Sequence, residues 1–512
     1  MRAYLRSFLS MVLIFTCSGQ SFADVINVKK LGAKGDGKTD DTKAIQAAIN
    51  AATGYTPNTI YFPKGIYIIR SYTITKNYLE NYFLLIHSNL TFKGEGTASI
   101  IRLGDHLFDK KDTSATAQLF FGSNISTITF SNLQIDMNGG KNLCPTGYIK
   151  NQRAIFINHG CDVKIEKMII KNNSGRNMVM IAGSGKRLMI QNCTFLNGGH
   201  YVGIKEENKN QVDFSFLYSE WDFTSVINNH IEQQDIDIAL SGYTGGIEIH
   251  GSYCYAAKNK IIGCYPGFFV SSSWHNMEQT IIENNQIEKC MRGISFWVNF
   301  PMSNISILNN SITLTYSRLL KPAILDGIEI PNGNSSDYSF KLANNAPLTN
   351  IIIAGNRITS LISDTSKDKT AGMVLHSLQN STIQNNIITE MNYGGVVLLG
   401  SKWGMQSLLV DKNIFLDFKT NNDLKAVGGY VVITDTYSLD KKAAAGLKNI
   451  NFSNNNFTRN KKITKGKTVT KQAGQFFGGF IALPKAMLSE IHFENNYFSD
   501  TAEKIKMIGT GL

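Results

Sequence analysis

Two residues that could move protons lie close together in the stretch 245–251. Glu248 and His250 are separated by one isoleucine, and apolar residues alternate with them in Gly246-Ile247-Glu248-Ile249-His250. Successive side chains of a β-strand point to opposite faces, so this alternation predicts one apolar face and one face with a carboxylate beside an imidazole. Such a pair suits general acid–base catalysis, in which a side chain takes or gives a proton during the reaction.

The outline of this strand recurs along the chain. From Gly246 to Gly267 and from there to Gly293 the intervals are 21 and 26 residues. Repeats of this length indicate stacked coils that each contribute one copy of the strand. Longer intervals predict loop insertions, one of them at 208–222. The later segments that read glycine, apolar, variable, apolar, variable begin at Gly267, Gly293, Gly327, Gly372 and Gly395.

A second repeated unit places two asparagines after an apolar-x-apolar segment. Asparagine tolerates the left-handed backbone of a tight turn. Stacked asparagine side chains can also hydrogen-bond to one another. We therefore expect each coil to turn at an asparagine, with side chains bonded from coil to coil. The pairs include Asn228-Asn229, Asn284-Asn285, Asn309-Asn310, Asn385-Asn386, Asn454-Asn455 and Asn495-Asn496.

The segment 203–207 repeats the glycine strand and is the candidate for the coil that precedes the central one. This register would place Lys205 beside Glu248 and Glu207 beside His250. Glu207 and Glu248 would then lie on a diagonal, about 7–8 Å apart. Inverting glycosidases hold their acid and base roughly 6.5–9.5 Å apart, with room for a water molecule. The glutamate before Glu207 can take its place if the register shifts by one residue.

The coils around the central strand supply residues for a substrate groove. Trp274 and Trp297 offer platforms for sugar rings, and Lys205 and Arg292 offer positive charge for acidic groups. Glu329 stands with Asp326 about three coils beyond Glu248, roughly 14 Å by strand spacing, and is expected to line a subsite. The residues predicted to bind substrate are Lys205, Trp274, His275, Arg292, Trp297 and Glu329.

Two further acids precede the central strand. Asp235 and Asp237 in Asp235-Ile236-Asp237-Ile238 share one face of a predicted strand. Asp237 is a candidate for the second catalytic carboxylate, and both aspartates are candidates for binding a calcium ion. The alternative is that they are solvated acids at a strand edge.

The central residues also have ordinary structural explanations. A glutamate next to a lysine on a parallel sheet is a common cross-strand ion pair, and His250 could simply end a strand. His376, several coils further on, is expected to be a polar surface residue.

The composition and the N-terminal segment indicate an exported protein made of short strands. The 512 residues include 44 glycines and nine prolines, and the formal net charge is +12 at pH 7. Residues 1–23 have a basic start, a short apolar run and the cleavage site Ser21-Phe22-Ala23, and they predict export to the periplasm or medium without a membrane span. A basic exported protein suits an acidic polymer. Motifs of nucleic-acid-binding modules are absent from the sequence, so no nucleic-acid partner is expected.

Three motifs together resemble the right-handed parallel β-helix superfamily of pectate lyases, polygalacturonases and phage tailspikes. They are the run Gly32-Ala33-Lys34-Gly35-Asp36-Gly37-Lys38-Thr39-Asp40-Asp41-Thr42 before a helix, Phe62-Pro63-Lys64-Gly65, and the asparagine repeats. The resemblance covers residues 24 to about 500. It implies an all-β, single-stranded right-handed parallel β-helix, a solenoid with an N-terminal capping helix. The expected divisions are a signal peptide at 1–23, an N-terminal strand and capping helix at 24–75, the β-helix with loop insertions at 76–500 and a C-terminal tail at 501–512.

The resemblance leaves the reaction open, because the superfamily includes lyases, hydrolases, epimerases and binding proteins. The N-T-D, D-D, G-H-G and R-I-K set of polygalacturonases and the D-P-H motif of alginate epimerases are absent from the sequence. We expect a glycoside hydrolase that acts on an acidic extracellular or capsular glycan without a cofactor. One alternative is a lyase that cleaves a uronate polymer by β-elimination, for which Ca²⁺ would be the cofactor to test. Another is a non-catalytic polysaccharide-binding or assembly protein, and the oligomeric state stays open.

Overall fold

The chain folds into a parallel β-helix, as the repeats predict. The described part of the chain forms 42 strands whose pairings run parallel from one coil to the next. The structure, a computed structural model, describes residues 24–52, 57–107, 117–142, 152–198, 214–235, 244–316, 324–330, 346–362, 369–399, 403–418, 429–434, 447–458, 481–484, 490–499 and 505–508.

The strands stack into three columns, and Glu248 lies in the first. The first column contains Tyr82–Leu85, Phe214–Ser219, Thr244–Ile249, Pro266–Ser271, Arg292–Trp297, Ile324–Glu329, Lys369–Leu375, Gly394–Leu399, Gly429–Thr434, Ile481–Pro484 and Ile505–Ile508. The second contains Val25–Asn27, Asn58–Tyr61, Asp222–Ile227, Tyr255–Ala257, Ile281–Glu283, Ser306–Leu308, Ile352–Ala354, Leu378–Gln384, Met405–Asp411, Leu447–Ser453 and Ile491–Glu494.

The third column and the connecting strands complete the coils. The third column contains Asp36–Asp40, Gly65–Ile69, Ile169–Lys171, Thr194–Leu196, His230–Glu232, Lys260–Ile262, Gln286–Cys290, Ser311–Leu314, Arg357–Ser360, Ile387–Thr389, Ile414–Leu416, Asn456–Thr458 and Tyr497–Phe498. Longer strands that pass from one column into another are Leu90–Leu103, Gln118–Asp136, Ile155–Glu166 and Val179–Gln191, and short strands between the first two columns are Met277–Glu278, Met302–Ser303 and Leu348–Thr349.

Inward-pointing apolar side chains fill the tube. Ile247, Phe268, Ile294 and Ile328 are register partners on successive coils of the first column, and all four are buried. Removing a side chain of this size from water stabilises the fold by roughly 1.5–3 kcal/mol. Because strand residues alternate, the residues between these partners form a row on the outer side of the column.

The recurring glycine of the first column is required because the coils leave no space for a side chain there. Gly246, Gly267 and Gly293 follow the same register from coil to coil. A Cβ atom on Gly267 would lie 2.8 Å from the carbonyl oxygen of Gly293 and would overlap the side chain of Ile287. Any larger residue would therefore push neighbouring strands apart.

The paired asparagines turn the chain and tie the coils together, as predicted. Asn284 has the left-handed φ of 55°. Asn285 is buried, its Oδ1 accepts hydrogen bonds from the backbone N–H and Nδ2 of Asn259, and its Nδ2 donates to Oδ1 of Asn310 at 2.9 Å. The same ladder runs through Asn229, Asn259, Asn285, Asn310, Asn356, Asn386, Asn413, Asn455 and Asn496.

One α-helix, Thr42–Ala51, packs on the N-terminal end of the tube and buries Ile45, Ala48 and Ile49 against the apolar core. Two short 3₁₀ helices, Val28–Leu31 and Tyr78–Glu80, flank it in sequence. Within the described ranges, no helix is long and apolar enough to cross a bilayer.

Candidate functional site

Glu248 points to the outer side of the first column. The flanking Ile247 and Ile249 belong to the core inside the tube, so the alternation of the strand turns Glu248 outward. Its register partners on the neighbouring coils are Tyr218 and Phe269. Glu248 is nevertheless only 6% exposed. The carboxylate is therefore buried within a layer of side chains on the outer face of the sheet.

The coil before Glu248 is formed by a different segment from the predicted one. Thr244–Ile249 pairs with Phe214–Ser219, which places Tyr218 beside Glu248. The backbone N–H of His250 donates to the carbonyl of Ser219, so Glu220 lies beside His250. The predicted register, with Lys205 and Glu207 in these two positions, is wrong.

The reason for the error lies in the sequence of the pairing strand. Phe214-Ser215-Phe216-Leu217-Tyr218-Ser219 has no glycine at its start, so it does not carry the mark that identifies the later strands. Its aromatic residues are strong strand formers, and this was the available signal. The interval 208–222, predicted as a loop, in fact contains this strand.

Five residues form one connected group, which we call the acid–imidazole cluster: Ser215, Tyr218, Glu220, Glu248 and His250. Nε2 of His250 lies 2.9 Å from Oε1 of Glu248, and the hydroxyl of Ser215 donates to Oε2 of Glu248 at 3.0 Å. The ring of Tyr218 packs on the imidazole with centroids 4.8 Å apart. The hydroxyl of Tyr218 donates to Oε1 of Glu220 at 2.5 Å.

Residues behind the cluster hold its two ends. The backbone N–H of Gly183 donates to Oε2 of Glu220 at 2.5 Å, so both oxygens of that carboxylate accept a hydrogen bond. Nδ2 of Asn177 donates to the hydroxyl of Ser215 at 2.8 Å. These bonds fix the side-chain orientations before any ligand arrives, which is the arrangement expected of a catalytic group.

The second ring nitrogen of His250 is unusual. Its Nδ1 atom is buried, and within the described part of the chain it has no hydrogen-bond partner. A buried polar atom without a partner is costly, and the few such atoms in native proteins often belong to functional sites. His250 is thus fixed through Nε2 by Glu248, while its Nδ1 lies in the packed layer without a partner among the described residues.

Two carboxylates sit on a diagonal in this cluster. Glu220 is adjacent to His250, and Glu248 is adjacent to Tyr218, so the two acids occupy diagonal positions of neighbouring strands, about 7–8 Å apart by strand geometry. Glu220 is partly exposed, whereas Glu248 is buried. The diagonal relationship predicted for Glu207 and Glu248 is therefore made by Glu220 and Glu248.

The predicted aromatic residues lie on the coils that follow. Trp297 is partly exposed and its ring lies 6.3 Å from that of Phe269, the register neighbour of Glu248. Trp274 is 68% exposed in the turn after Pro266–Ser271. His275 is exposed beside it, with Nδ1 at 2.7 Å from the carbonyl of Asn276.

Arg292 and Glu329 form a second polar group on the same face. Glu329 is three coils from Glu248 in the register, as predicted. Nη1 of Arg292 lies 2.5 Å from Oε2 of Glu329, and the hydroxyl of Ser295 donates to the same oxygen at 3.2 Å. Arg292 is only 2% exposed, so it orients Glu329 from within the outer layer.

Three predicted site residues, Lys205, Glu207 and Asp237, lie outside the described residues. Asp235 is described and exposed. No cluster of three or more His, Cys, Asp or Glu side chains with metal-binding geometry occurs in the described ranges. His376, predicted to be a surface residue, is fully buried and its Nδ1 lies 3.0 Å from the hydroxyl of Ser377.

Other proteins share parts of this sequence or the whole fold. Alginate lyase 7 of Azotobacter vinelandii is 36% identical over 153 residues, which are 29% of this chain and 17% of that protein. Plasmin and fibronectin-binding protein A of Streptococcus pneumoniae is 31% identical over 182 residues, 33% of this chain and 24% of that protein. This chain thus spans less than a quarter of the length of either relative.

Among solved structures, the tailspike protein of E. coli bacteriophage HK620, in complex with a pentasaccharide, superposes with a TM-score of 0.58 at 13% identity. The match covers 92% of this chain and 78% of the tailspike chain, and it reflects the fold alone. The family model described as rhamnogalacturonase A/epimerase, pectate lyase-like, matches residues 25–295, more than half of the 512 residues and the part that holds the acid–imidazole cluster. The chain belongs to the rhamnogalacturonase A/epimerase, pectate lyase-like family.

Proposed function

We propose that this protein is a glycoside hydrolase that cleaves a polysaccharide on the outer face of the first column. The observation that carries the proposal is the pair of acids, Glu220 and Glu248, at diagonal positions of adjacent coils. Backbone positions on such a diagonal lie about 7–8 Å apart, and an inverting glycosidase holds its two carboxyl groups roughly 6.5–9.5 Å apart to leave room for a water molecule.

The two carboxylates receive different roles from their surroundings. Glu248 is buried and contacts His250, so it gives a proton to the glycosidic oxygen as the bond to the leaving sugar breaks. Glu220 is the more exposed acid, so it takes a proton from the water that attacks the anomeric carbon. After the products leave, Glu220 releases its proton to solvent, and His250 passes a proton taken from solvent to Glu248 for the next cycle. Tyr218 links the two halves, because it contacts His250 and donates to Glu220.

The proposed substrate class rests on the aromatic residues on the outer face of the first column and on the net charge of the chain. Phe269 and Trp297 are partly exposed aromatic residues on the two coils after Glu248, and aromatic rings pack well against the apolar faces of sugars. The formal charge of +12 favours an acidic polymer. We assign the substrate to acidic extracellular or capsular glycans, which the protein meets after export through the signal in residues 1–23. Cleavage after residue 23 is checked by sequencing the N-terminus of the secreted protein.

Elimination is the second candidate reaction. It is favoured by the contact of the Tyr218 ring with the His250 ring, which places a phenol and an imidazole together, so that one group removes a proton from a uronate and the other supplies one. The partial similarity to an alginate lyase supports the same candidate. Only the elimination reaction would require calcium, and this requirement is tested by adding EDTA to the assay.

Analysis of the products separates the candidates. Purified protein is incubated with alginate, rhamnogalacturonan and a neutral (1→3)-glucan, and the products are followed by reducing-end assay and by ultraviolet absorbance. New reducing ends without new absorbance support hydrolysis, and absorbance from unsaturated sugars replaces hydrolysis by elimination. A protein that binds one of these glycans but never shortens it would be a non-catalytic binding protein, and the proposal would be withdrawn.

A further inference from the structure

A second aromatic surface lies next to the acid–imidazole cluster, where the first column passes into the second. Phe223 and Tyr253 are 50% and 41% exposed, and their rings are stacked with centroids 5.0 Å apart and planes 12° apart. Phe223 is the second residue of the second-column strand Asp222–Ile227, and Tyr253 lies two residues before the next one, Tyr255–Ala257, so both stand at the corner where the chain passes from the first column into the second. Phe223 follows Glu220 by three residues, and Tyr253 follows His250 by three. Each ring is thus on the same coil as one side of the acid–imidazole cluster, within about 10 Å of chain.

The backbone conformation at this corner is unfavourable for the two aromatic residues. Phe223 and Tyr253 have φ values of 57° and 59°, in the left-handed region where bulky side chains are rare and asparagine is favoured. The same corner is left-handed on ten other described coils. Its other occupants are Asn89, Thr127, Asp162, Arg187, Gln279, Asn304, Asn350, Asn380, Ser407 and Asn449, none of them aromatic.

Aromatic residues therefore occupy this strained and exposed corner only on the two described coils that carry Glu220 and Glu248. The backbone does not select them, since asparagine suits a left-handed φ better, and about half of each side chain stays exposed to solvent. Polar groups frame the stack: the ion pair of Arg187 with Asp162 lies on one side, with Nε at 2.6 Å from Oδ1, and Gln279 lies on the other. An apolar platform with a polar rim is typical of a ligand-binding surface.

We propose that the Phe223–Tyr253 stack is a carbohydrate-binding subsite that holds a polysaccharide chain or branch as it crosses from the acid–imidazole cluster onto the next face. This inference rests on the proposed function, because the continuity of the stack with the cluster identifies the ligand as the same polymer. A short oligosaccharide that fills only the cluster would not reach it.

The test uses a double variant, Phe223→Asn with Tyr253→Asn, which introduces the residue found at this corner in other coils. Electrophoresis in gels that contain alginate, rhamnogalacturonan or a neutral (1→3)-glucan measures the dissociation constant of the full chain for each polymer. We expect the wild-type protein to be retarded in at least one gel and the variant to bind that polymer about tenfold more weakly, since aromatic contacts are worth about 1 kcal/mol each or slightly more. The melting temperature of the variant should equal or exceed that of the wild type.

A matched control, Ser407→Asn, makes the same kind of change at this corner on a coil remote from the stack and should leave retardation unchanged. The proposal is overturned if the double variant is retarded as strongly as the wild type, or if the wild type is not retarded in any gel. It is also overturned if the substitutions change only the sedimenting mass, since the stack would then join copies of the chain. The catalytic proposal fails by a different result, namely normal cleavage by the Glu248→Gln variant. That result would leave the binding test of the stack unaffected.

Discussion

The phenol ring of Tyr218 lies against the imidazole of His250 across two neighbouring coils, with ring centroids 4.8 Å apart. This contact joins two hydrogen-bonded pairs, Tyr218 with Glu220 and His250 with Glu248, into one cluster. The cluster holds two acids at different degrees of exposure, which is the condition under which two carboxylates can take opposite roles.

Replacing Glu248 by glutamine should abolish most of the activity while the protein stays folded. Glutamine has the same shape and can still accept the hydrogen bond from Ser215, but it cannot deliver a proton. We expect turnover to fall roughly 10²–10⁴-fold, the usual worth of a general acid or base, with little change in melting temperature.

The chain offers a matched control for this change. His230 and Glu232 form the same kind of pair, with Nε2 at 2.8 Å from Oε2, but they lie on the third column and are partly exposed. Glu232→Gln should leave turnover unchanged. Equal losses in the two variants would show that the effect of Glu248→Gln is structural.

Replacing Tyr218 by phenylalanine should weaken catalysis through Glu220. The ring keeps its contact with His250, but the hydroxyl that donates to Glu220 is lost. A hydrogen bond to a charged group is worth about 1.5–3 kcal/mol, so turnover should fall roughly ten- to hundredfold with little change in KM. Tyr255→Phe removes a similar bond, to Glu283 at 2.6 Å on the second column, and should leave turnover unaffected. A fall in Tyr255→Phe as large as that in Tyr218→Phe would contradict the assignment.

Replacing Gly293 by alanine should destabilise the tube. A Cβ atom there would overlap the carbonyl oxygen of Gly327 and the side chain of Ile312. Forcing atoms into packed space costs about 1–3 kcal/mol, which thermal unfolding would record as a lower melting temperature. Gly140→Ala is the control, because a Cβ on Gly140 would meet nothing within 4 Å. A melting temperature that is the same for both variants would refute this account of the glycine row.

The strand Asp36–Asp40 should make stability depend on acid pH through Asp36. Hydrogen bonds from the backbone N–H groups of Thr39 and Lys38 lower the pKa of Asp36 to about 2 from its ordinary 3.8. A lowered folded-state pKa stabilises the protein above pH 3.8, and this contribution is lost as pH falls towards 2.

The variant Asp36→Asn should therefore melt below the wild type at pH 7, and the gap should close between about pH 4 and pH 2. Thr39→Val removes the side-chain donor to Asp36 and should show the same dependence to a smaller extent. A gap that stays constant down to pH 2 would mean that the Asp36 charge is not responsible.

The fold could be predicted from sequence because its determinants are local and repeated. Asn285 and its counterparts recur after the same apolar pattern, and from Asn229 to Asn455 each is buried and bonds its side-chain amide to the next coil. Glu248 and His250 could be found because strand alternation alone places them on one side.

Their partners could not be found in the same way. Tyr218 and Glu220 are adjacent to them only through the register of two strands, and the strand Phe214–Ser219 lacks the initial glycine that marks the later strands of the column. The burial of Arg292 and His376 likewise depends on what packs over the outer face of the sheet. Periodicity predicts the direction of a side chain, and the degree of exposure depends on its neighbours.

The asparagine ladder also bears on how the molecule would respond to force. Each asparagine bonds one coil to the next through the same side-chain hydrogen bond, so successive coils are joined by equivalent contacts. Tension applied at the C-terminus would detach the coils one at a time, beginning with the C-terminal coil. The coils that hold Glu220 and Glu248 would remain closed until the opening reached them, so a partly unravelled molecule would still hold its two acids in place.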